Sequence, residues 1–200
     1  MRVLGIDPGL TRCGVGIVDV EPDRTAKLVE VTVIRSSPDA PLERRLLEVG
    51  DGIAGLLDRH KPAAVAIERV FAQHNLRTVM GTAQISGVAL HLSAQRGLAV
   101  GLHTPSEVKA AITGYGSADK RQVAAMVARI LGLDAPPTPA DAADALALAL
   151  CHAWRTGVSG GTLPTAGAAV DDAELTPAQK AWRAAERNAR GSVVRRSLER

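Results

Sequence analysis

An α/β fold, with one mixed sheet covered by helices on both faces, is the architecture that the sequence predicts. Three strand patterns rich in Val and Ile come first, and helical and strand patterns then alternate up to about residue 156. Strands joined by short turns pair antiparallel, whereas strands joined through a helix can pair in parallel. The chain therefore predicts a five-stranded mixed sheet rather than an all-helical or all-β domain.

The first three strand patterns are separated only by turns. Residues 3–6 form an apolar run that ends in an Asp-Pro-Gly turn, and residues 13–20 and 26–35 are rich in Val and Ile. β-Branched residues favour strands, and Asp, Pro and Gly favour turns. These strands are predicted to form an antiparallel meander.

The remaining elements alternate between helix and strand. Leucines at helical spacing predict a helix over residues 41–60, which a Lys-Pro pair ends. Residues 63–67 form a short and fully apolar run, as strands inside a sheet do. The later elements are predicted in this order: a helix at 75–95, a strand at 99–103, and helices at about 105–112, 118–132 and 139–155.

One domain and a tail are predicted from the length and from a change in composition. The chain has 200 residues, which is enough for one domain with a core. Residues 157–170 are rich in Gly, Ala and Pro, as linkers are, and residues 176–200 carry repeated Lys and Arg with few apolar residues. We expect one domain over residues 1–156, and a linker with a basic, flexible tail over residues 157–200. The tail is either solvated or an arm for nucleic acid or a partner.

The composition restricts the class of protein. The formal net charge is +3 and the pI is near 9.2, so a nucleic-acid partner is permitted. The chain begins in a strand pattern without the basic and apolar regions of a secretory signal, and it has no apolar run of membrane-spanning length. Cys13 and Cys151 lie isolated in apolar runs, which favours buried free thiols. We therefore expect a cytoplasmic protein.

Four acidic residues are the main functional signal. Asp7 and Glu68 each end an apolar strand pattern, and Asp141 and Asp144 share one face of the last predicted helix because they are three residues apart. Oxygen donors of this kind suit hard cations such as Mg²⁺. Without a cation, clustered carboxylates repel one another and raise one another's pKa values. The set indicates metal-dependent phosphoryl chemistry.

Three of these acids also have structural explanations. Asp7 lies in a Pro-Gly turn, Glu68 could form a surface ion pair, and Asp141 follows Thr138 at the spacing of a capping box. Asp144 is harder to explain in this way, because its helix is apolar nearly all round and should be buried. A charge there is costly unless it is paired, binds a metal or lies at a cleft.

Four segments resemble the RuvC family of bacterial Holliday junction resolvases. In chain order they are Gly5-Ile-Asp-Pro-Gly9, Ala66-Ile-Glu-Arg-Val-Phe71, Gly114-Tyr-Gly-Ser-Ala-Asp-Lys120 and Ala140-Asp-Ala-Ala-Asp-Ala-Leu-Ala147. The resemblance covers about residues 1–155 and implies a ribonuclease-H-like fold. It also implies a homodimer that acts on four-way junction DNA together with the RuvA and RuvB branch-migration proteins.

The activity that this resemblance implies is symmetric nicking of two opposed junction strands, leaving 5′-phosphate and 3′-hydroxyl ends. The family's catalytic, metal-binding carboxylates correspond to Asp7, Glu68, Asp141 and Asp144. Two Mg²⁺ ions per site, with Mn²⁺ as a substitute, would activate a water and stabilise the departing oxygen. Asp7 is expected to bridge both ions. Some family members have His where this chain has Asp141.

Six further residues are candidates for binding DNA. Phe71 could pack as a hydrophobic staple or stack on a base opened at the crossover, and the resemblance favours stacking. Lys109 and Lys120 match basic positions of the family near the scissile phosphates. If Ser117 caps its helix, Lys120 lies in the first turn, where the helix dipole disfavours a cation. A phosphate partner then explains this positive charge better than a contribution to stability does. A surface role explains the remaining three candidates equally well: Arg69, Arg77 and Arg121.

Three other functions compete with this interpretation. The first segment also resembles a phosphate motif of actin-like ATPases and sugar kinases, but no second phosphate loop is evident. A RuvX/YqgF-type nuclease would share the fold and the first segment, and the Asp141/Asp144 pair argues against it. A non-catalytic junction-binding protein would gain nothing from four carboxylates beside its DNA.

Two further groups of residues leave alternatives open. His91 and His103 lie in apolar surroundings and are expected to be core residues, and no histidine has zinc-ligand spacing with a cysteine. The predicted helix 75–95 has an apolar stripe that either forms the dimer interface or packs in the core. The stripe consists of Met80, Ile85, Val88 and Leu92.

Overall fold

The computed structural model describes residues 1–69 and 76–156, except for the side chains of residues 76–78. The described residues all belong to one compact unit of the chain, Met1–Gly161. Phe71 and the predicted linker and tail lie outside the described residues, as does the side chain of Arg77. The predictions for them stay predictions.

The elements follow the predicted order, with ends that differ by no more than two residues. They are β1 (Arg2–Asp7), β2 (Arg12–Val20), β3 (Ala26–Arg35), α1 (Leu42–His60), β4 (Ala64–Glu68), α2 (Leu76–Gln95), β5 (Ala99–His103), α3 (Pro105–Thr113), α4 (Lys120–Leu131) and α5 (Ala140–Thr156). None of the described helices has the length and apolarity that a membrane crossing requires.

The strands form one five-stranded mixed sheet, in the order β3-β2-β1-β4-β5. The first three strands pair antiparallel, and β4 runs parallel to both β1 and β5. This confirms the α/β prediction and the antiparallel meander. Because β1 and β4 are parallel neighbours, the residues at their carboxyl ends lie side by side at one edge of the sheet.

Helices cover both faces of the sheet, as predicted, and each face has its own buried core. Leu4 and Ile6 of β1 pack with α1 and α2 on one face, whereas Val3 packs with α3, α4 and α5 on the other. Since side chains alternate along a strand, Asp7 projects from the same face as Val3. The α5 side of the sheet is therefore the side on which Asp7 lies.

The close approach of α5 to the sheet depends on glycines in the strands. A Cβ atom at Gly16 would lie 2.8 Å from the backbone nitrogen of Leu146, and one at Gly14 would meet the backbone oxygen of Asp141. Only residues without a side chain permit this contact between the backbones of β2 and α5. The contact brings the amino end of α5 to the sheet edge that carries Asp7.

Two predicted helix caps are wrong. The N-cap of α4 is Asp119, whose side chain accepts from the backbone N–H of Gln122 in a capping box, so Ser117 lies outside the helix. The helix α5 begins at Ala140, and the described hydrogen bonds include no Thr138–Asp141 capping box. An Asp carboxylate is an excellent N-cap, and one stands two residues after Ser117.

The burial of the cysteines, of two histidines and of the apolar stripe on α2 agrees with the predictions in part. Cys13 and Cys151 are buried free thiols and His103 is buried, as predicted, but His91 is exposed on α2. In the apolar stripe of α2, Ile85 is fully buried in the core, whereas Met80 is 52% exposed. Core packing therefore explains the inner part of the stripe.

Candidate active site

Two of the four predicted carboxylates stand at the ends of adjacent parallel strands. Asp7 is the last residue of β1 and Glu68 the last residue of β4, and the register pairs Ile6 with Ile67 directly before them. Both side chains project from the α5 face, since Val3 of β1 and Ala66 of β4 contribute to the core on that face. Both are largely withdrawn from solvent.

The other two carboxylates come from the first two turns of α5. The side chains of Asp141 and Asp144 are only 21% and 23% exposed, although both are charged residues. Most of the helix from Ala142 to Ala153 is buried, so these two acids interrupt an otherwise apolar surface. A buried carboxylate needs a compensating partner.

The electrostatics show that these acids interact. The pKa of Asp7 is raised to about 7, by burial first and then by the charges of Glu68, Asp144 and Asp141, against the lowering effect of Lys120. Burial raises the pKa of Glu68 too, and the charge of Asp144 adds to that effect. The structure thus brings all four predicted carboxylates into one cluster.

Each carboxylate of α5 is held by one basic side chain. Lys120 Nζ donates to Asp144 Oδ2 at 2.8 Å, and this hydrogen bond raises the pKa of Lys120. Arg12 Nε lies 3.1 Å from Asp141 Oδ2, close enough for an ion pair. The direction of the N–H does not make a hydrogen bond, so this buried oxygen has no hydrogen-bond partner among the described residues. The contact with Arg12 is therefore electrostatic only.

The donor set fits a hard divalent cation. It consists of carboxylate oxygens, one of them buried without a hydrogen bond, and their mutual repulsion decreases when a cation is bound. In this conformation no three His, Cys, Asp or Glu side chains within residues 1–69 and 76–156 are arranged around a common point for a metal. The basic side chains of Lys120 and Arg12 instead supply the compensating charge.

A surface pocket of about 210 Å³ opens beside the cluster. Its polar lining combines acids and bases, with Glu68 and Asp144 facing Lys109 and Lys120, and its apolar lining consists of Pro105, Val108, Val123 and Leu148. The two predicted phosphate-binding lysines are thus brought to the carboxylates. Of the predicted arginines, Arg69 and Arg121 are exposed and do not line this pocket.

Sequence reasoning missed two features of this region. Arg12 was not a candidate, because nothing local to the start of β2 indicates its contact with Asp141, a residue distant in the chain. The buried pair of His103 Nε2 and His152 Nδ1, 3.0 Å apart, was also missed. Glycines at alternate positions of β2 were the signal that a helix crosses this strand closely.

Comparisons with known proteins agree with this geometry. The model of a family described as "Crossover junction endodeoxyribonuclease RuvC" matches residues 3–152. A protein of that description from Leifsonia xyli subsp. xyli is 72% identical over 206 residues, covering 100% of this chain and 99% of that protein. The solved structure "T. thermophilus RuvC in complex with Holliday junction substrate" has a TM-score of 0.75 and 37% identity, covering 78% of this chain and 94% of that one. The yeast mitochondrial resolvase Ydc2 is 13% identical with a TM-score of 0.55, covering 74% and 77%, and shares the fold alone.

Proposed function

This chain belongs to the RuvC family of crossover junction endodeoxyribonucleases, and we propose that Asp7, Glu68, Asp141 and Asp144 are its catalytic, metal-binding carboxylates. The chain is a Holliday junction resolvase, a metal-dependent nuclease that binds junction DNA. The RuvX/YqgF-type and non-catalytic alternatives are not favoured. The observation that supports the assignment of residues is that Glu68, Asp144 and Asp141 all act electrostatically on Asp7, whose pKa burial already raises.

The proposed cofactor is Mg²⁺, two ions per site, with Mn²⁺ as a substitute. The four carboxylates would hold the ions, with Asp7 in the central position because it interacts with all three other acids. When bound, the ions supply Lewis-acid stabilisation of charge that develops on the phosphoryl group. In-line hydrolysis would leave 5′-phosphate and 3′-hydroxyl ends, in symmetric nicks of two opposed strands.

The basic residues of the pocket have a separate proposed role. Lys120 is 74% exposed and bonded to Asp144, so it can turn towards a DNA phosphate once the carboxylate has another partner. Its position as the first residue of α4 puts a cation at the positive end of the helix, where a phosphate would be stabilising. Lys109, from the neighbouring α3, lines the same pocket. Together they would orient the strand to be cut.

Base stacking by Phe71 and phosphate contacts by Arg69, Arg77 and Arg121 complete the proposed DNA interface. Phe71 follows Glu68 closely in the chain, which supports a position near the scissile bond. Arg69 directly follows Glu68, and its backbone N–H donates to the carbonyl of His103 at 2.8 Å. This bond holds Arg69 against β5.

A homodimer is proposed because a four-way junction has two equivalent strands to cut, which a two-fold dimer matches. Exposed apolar residues on α2, Met80 and Leu90, support an interface on that helix. Cooperation with RuvA and RuvB follows from the family resemblance. A cytoplasmic location is proposed because the bacterial relatives are described as nucleases that act on DNA crossover junctions.

Cleavage of a synthetic four-way junction tests the proposal. The junction and a linear duplex of the same sequences are incubated with Mg²⁺, with Mn²⁺ and with EDTA, and the products are separated on a denaturing gel. We expect symmetric nicks in the junction with either metal and none with EDTA. Junction binding without nicks in both metals would contradict the assignment of the carboxylates.

A further inference from the structure

Two arginines face each other at the end of the sheet beside the amino end of α5. Arg12 of β2 and Arg35 of β3 are direct partners in the antiparallel register, so their side chains project from the same face. That face is the one covered by α5, because Gly14, two residues after Arg12, touches the backbone of Asp141. Like charges directly opposite each other destabilise a strand pair unless an anion lies between them.

The acids of the protein neutralise this pair only in part. Arg12 is 54% exposed, and its contact with Asp141 does not have the geometry of a hydrogen bond. Arg35 is exposed and has no ion pair among the described salt bridges. Two guanidinium groups with free donors are suited to bind a phosphate through bidentate hydrogen bonds.

The backbone that carries the two arginines is held in place by a third. Arg45 of α1 donates from Nη2 to Thr11 Oγ1 at 2.7 Å and from Nε to Ser36 Oγ at 3.0 Å. Thr11 directly precedes Arg12 and Ser36 directly follows Arg35, and a backbone bond joins Ser36 N–H to the Thr11 carbonyl at 3.2 Å. The end of the β2–β3 pair is therefore preorganised, as a binding site requires.

We propose that Arg12 and Arg35 form a second phosphate-binding site for the strand that is cut, on the other side of the carboxylates from Lys120. In the sheet, β2 and β3 lie on one side of β1, whereas β4 and the lysine pocket lie on the other. A strand that crosses the carboxylates would thus be held at both ends. In the free protein Arg12 compensates Asp141, and in the complex it turns to a phosphate. This inference rests on the proposed function, since it takes junction DNA as the ligand.

Salt-dependent binding of a labelled four-way junction tests the site. Fluorescence anisotropy is measured in EDTA from 50 to 200 mM KCl for the wild type, Arg12→Gln and Arg35→Gln. Each lost phosphate contact lowers the slope of log K against log salt by about 0.9. We expect that decrease in both variants, with affinity about tenfold weaker, which corresponds to one charge-assisted hydrogen-bonded contact. Arg12→Lys should restore most of the slope, because it retains the positive charge.

The control is Arg24→Gln, which removes an exposed arginine at the turn between the far ends of β2 and β3. Wild-type slopes in both Arg12→Gln and Arg35→Gln would overturn the inference, as would an equal decrease in Arg24→Gln, which would indicate a general charge effect. If circular dichroism shows that Arg12→Gln does not fold, the salt slope of Arg35→Gln alone tests the phosphate site. Failure of the proposed function would appear differently, as equal wild-type binding to junction and duplex.

Discussion

Asp7 occupies the most strongly perturbed position of the carboxylate cluster. Its pKa of about 7 results from burial first and from the charges of Glu68, Asp144 and Asp141 next. Because Asp7 interacts with all three other carboxylates, none of them can take over its position in the cluster. The charge of Asp7 therefore bears on activity, and its raised pKa bears on stability.

We predict that Asp7→Asn abolishes junction cleavage and retains junction binding. The amide keeps the shape of the side chain but loses the charge that would hold cations, so the rate should fall by at least about 10³-fold, roughly 4 kcal/mol in the barrier. The gel assay measures cleavage, and gel retardation measures binding. Asp51→Asn, an exposed change on α1, should cleave like the wild type. Cleavage by Asp7→Asn at the wild-type rate would exclude a central role for this residue.

The raised pKa of Asp7 also predicts a pH-dependent stability without metal. The folded protein retains a proton that the unfolded chain loses above about pH 3.9, so this contribution is complete at low pH and is lost as pH rises through about 7. At pH 8 in EDTA, Asp7→Asn should be more stable than the wild type by on the order of 2 kcal/mol. Urea unfolding at pH 5 and pH 8 measures the difference. An equal stability difference at both pH values would contradict the prediction.

At the scale of elements, the contact between β2 and α5 determines where the two helix acids lie. We predict that Gly16→Ala destabilises the protein by about 1–3 kcal/mol, because the new Cβ would lie 2.8 Å from Leu146 N and force α5 outward. Cleavage should fall as well, since Asp141 and Asp144 move with the helix. Thermal unfolding and the gel assay measure the two effects.

Gly55→Ala is the matched control for Gly16→Ala. A Cβ at Gly55 meets nothing within 4 Å, and the position lies in the interior of α1. Replacing Gly by Ala inside a helix stabilises by roughly 0.5–1 kcal/mol. A loss of stability in this control equal to that of Gly16→Ala would show that the effect is not specific to the β2–α5 contact.

The buried histidine pair connects β5 to α5 and predicts a second pH effect. The pKa of His152 is lowered to about 4, by burial first and by the charge of His103 second. The unfolded chain then binds more protons than the native state, so the stability present above about pH 6.5 is lost as pH falls through about 4. We predict that His152→Gln loses less stability than the wild type between pH 6.5 and 4, by on the order of 2 kcal/mol. Urea unfolding measures it, and His91→Gln, an exposed change, should behave like the wild type.

Most element positions were predictable from local patterns. The residues that cap the helices were not, and neither were contacts between residues that lie far apart in the sequence. The range 99–103 of β5 was predicted as observed, because an apolar run of strand length is a local property. The cap of α4 was wrong because Ser117 and Asp119 are both good N-caps, and their choice depends on tertiary packing. The four carboxylates were predictable because strand ends and helical spacing place them. Arg12 was not, because its contact depends on how α5 crosses β2.

At the scale of the whole molecule, the two cores consist of residues from β1 to α5. Within the described residues, the last side chain that packs in either core is Trp154. We predict that a chain ending at Thr156 folds and cleaves junctions with a melting temperature within a few degrees of the full chain. Circular dichroism and the gel assay measure this. Loss of folding would show that residues 157–200 contribute to the core, and loss of cleavage alone would assign them a role with DNA.

The ion pairs of Lys120 and Arg12 have a consequence for how fast DNA arrives. An approaching strand does not meet four uncompensated carboxylates, since two are paired with bases and the raised pKa of Asp7 favours its neutral form. Long-range repulsion at this edge is therefore reduced, and encounter rates at low ionic strength depend also on the net basic charge of the chain. The same side chains that balance the acids thus lessen the repulsion that the substrate meets before any cation or phosphate has been bound.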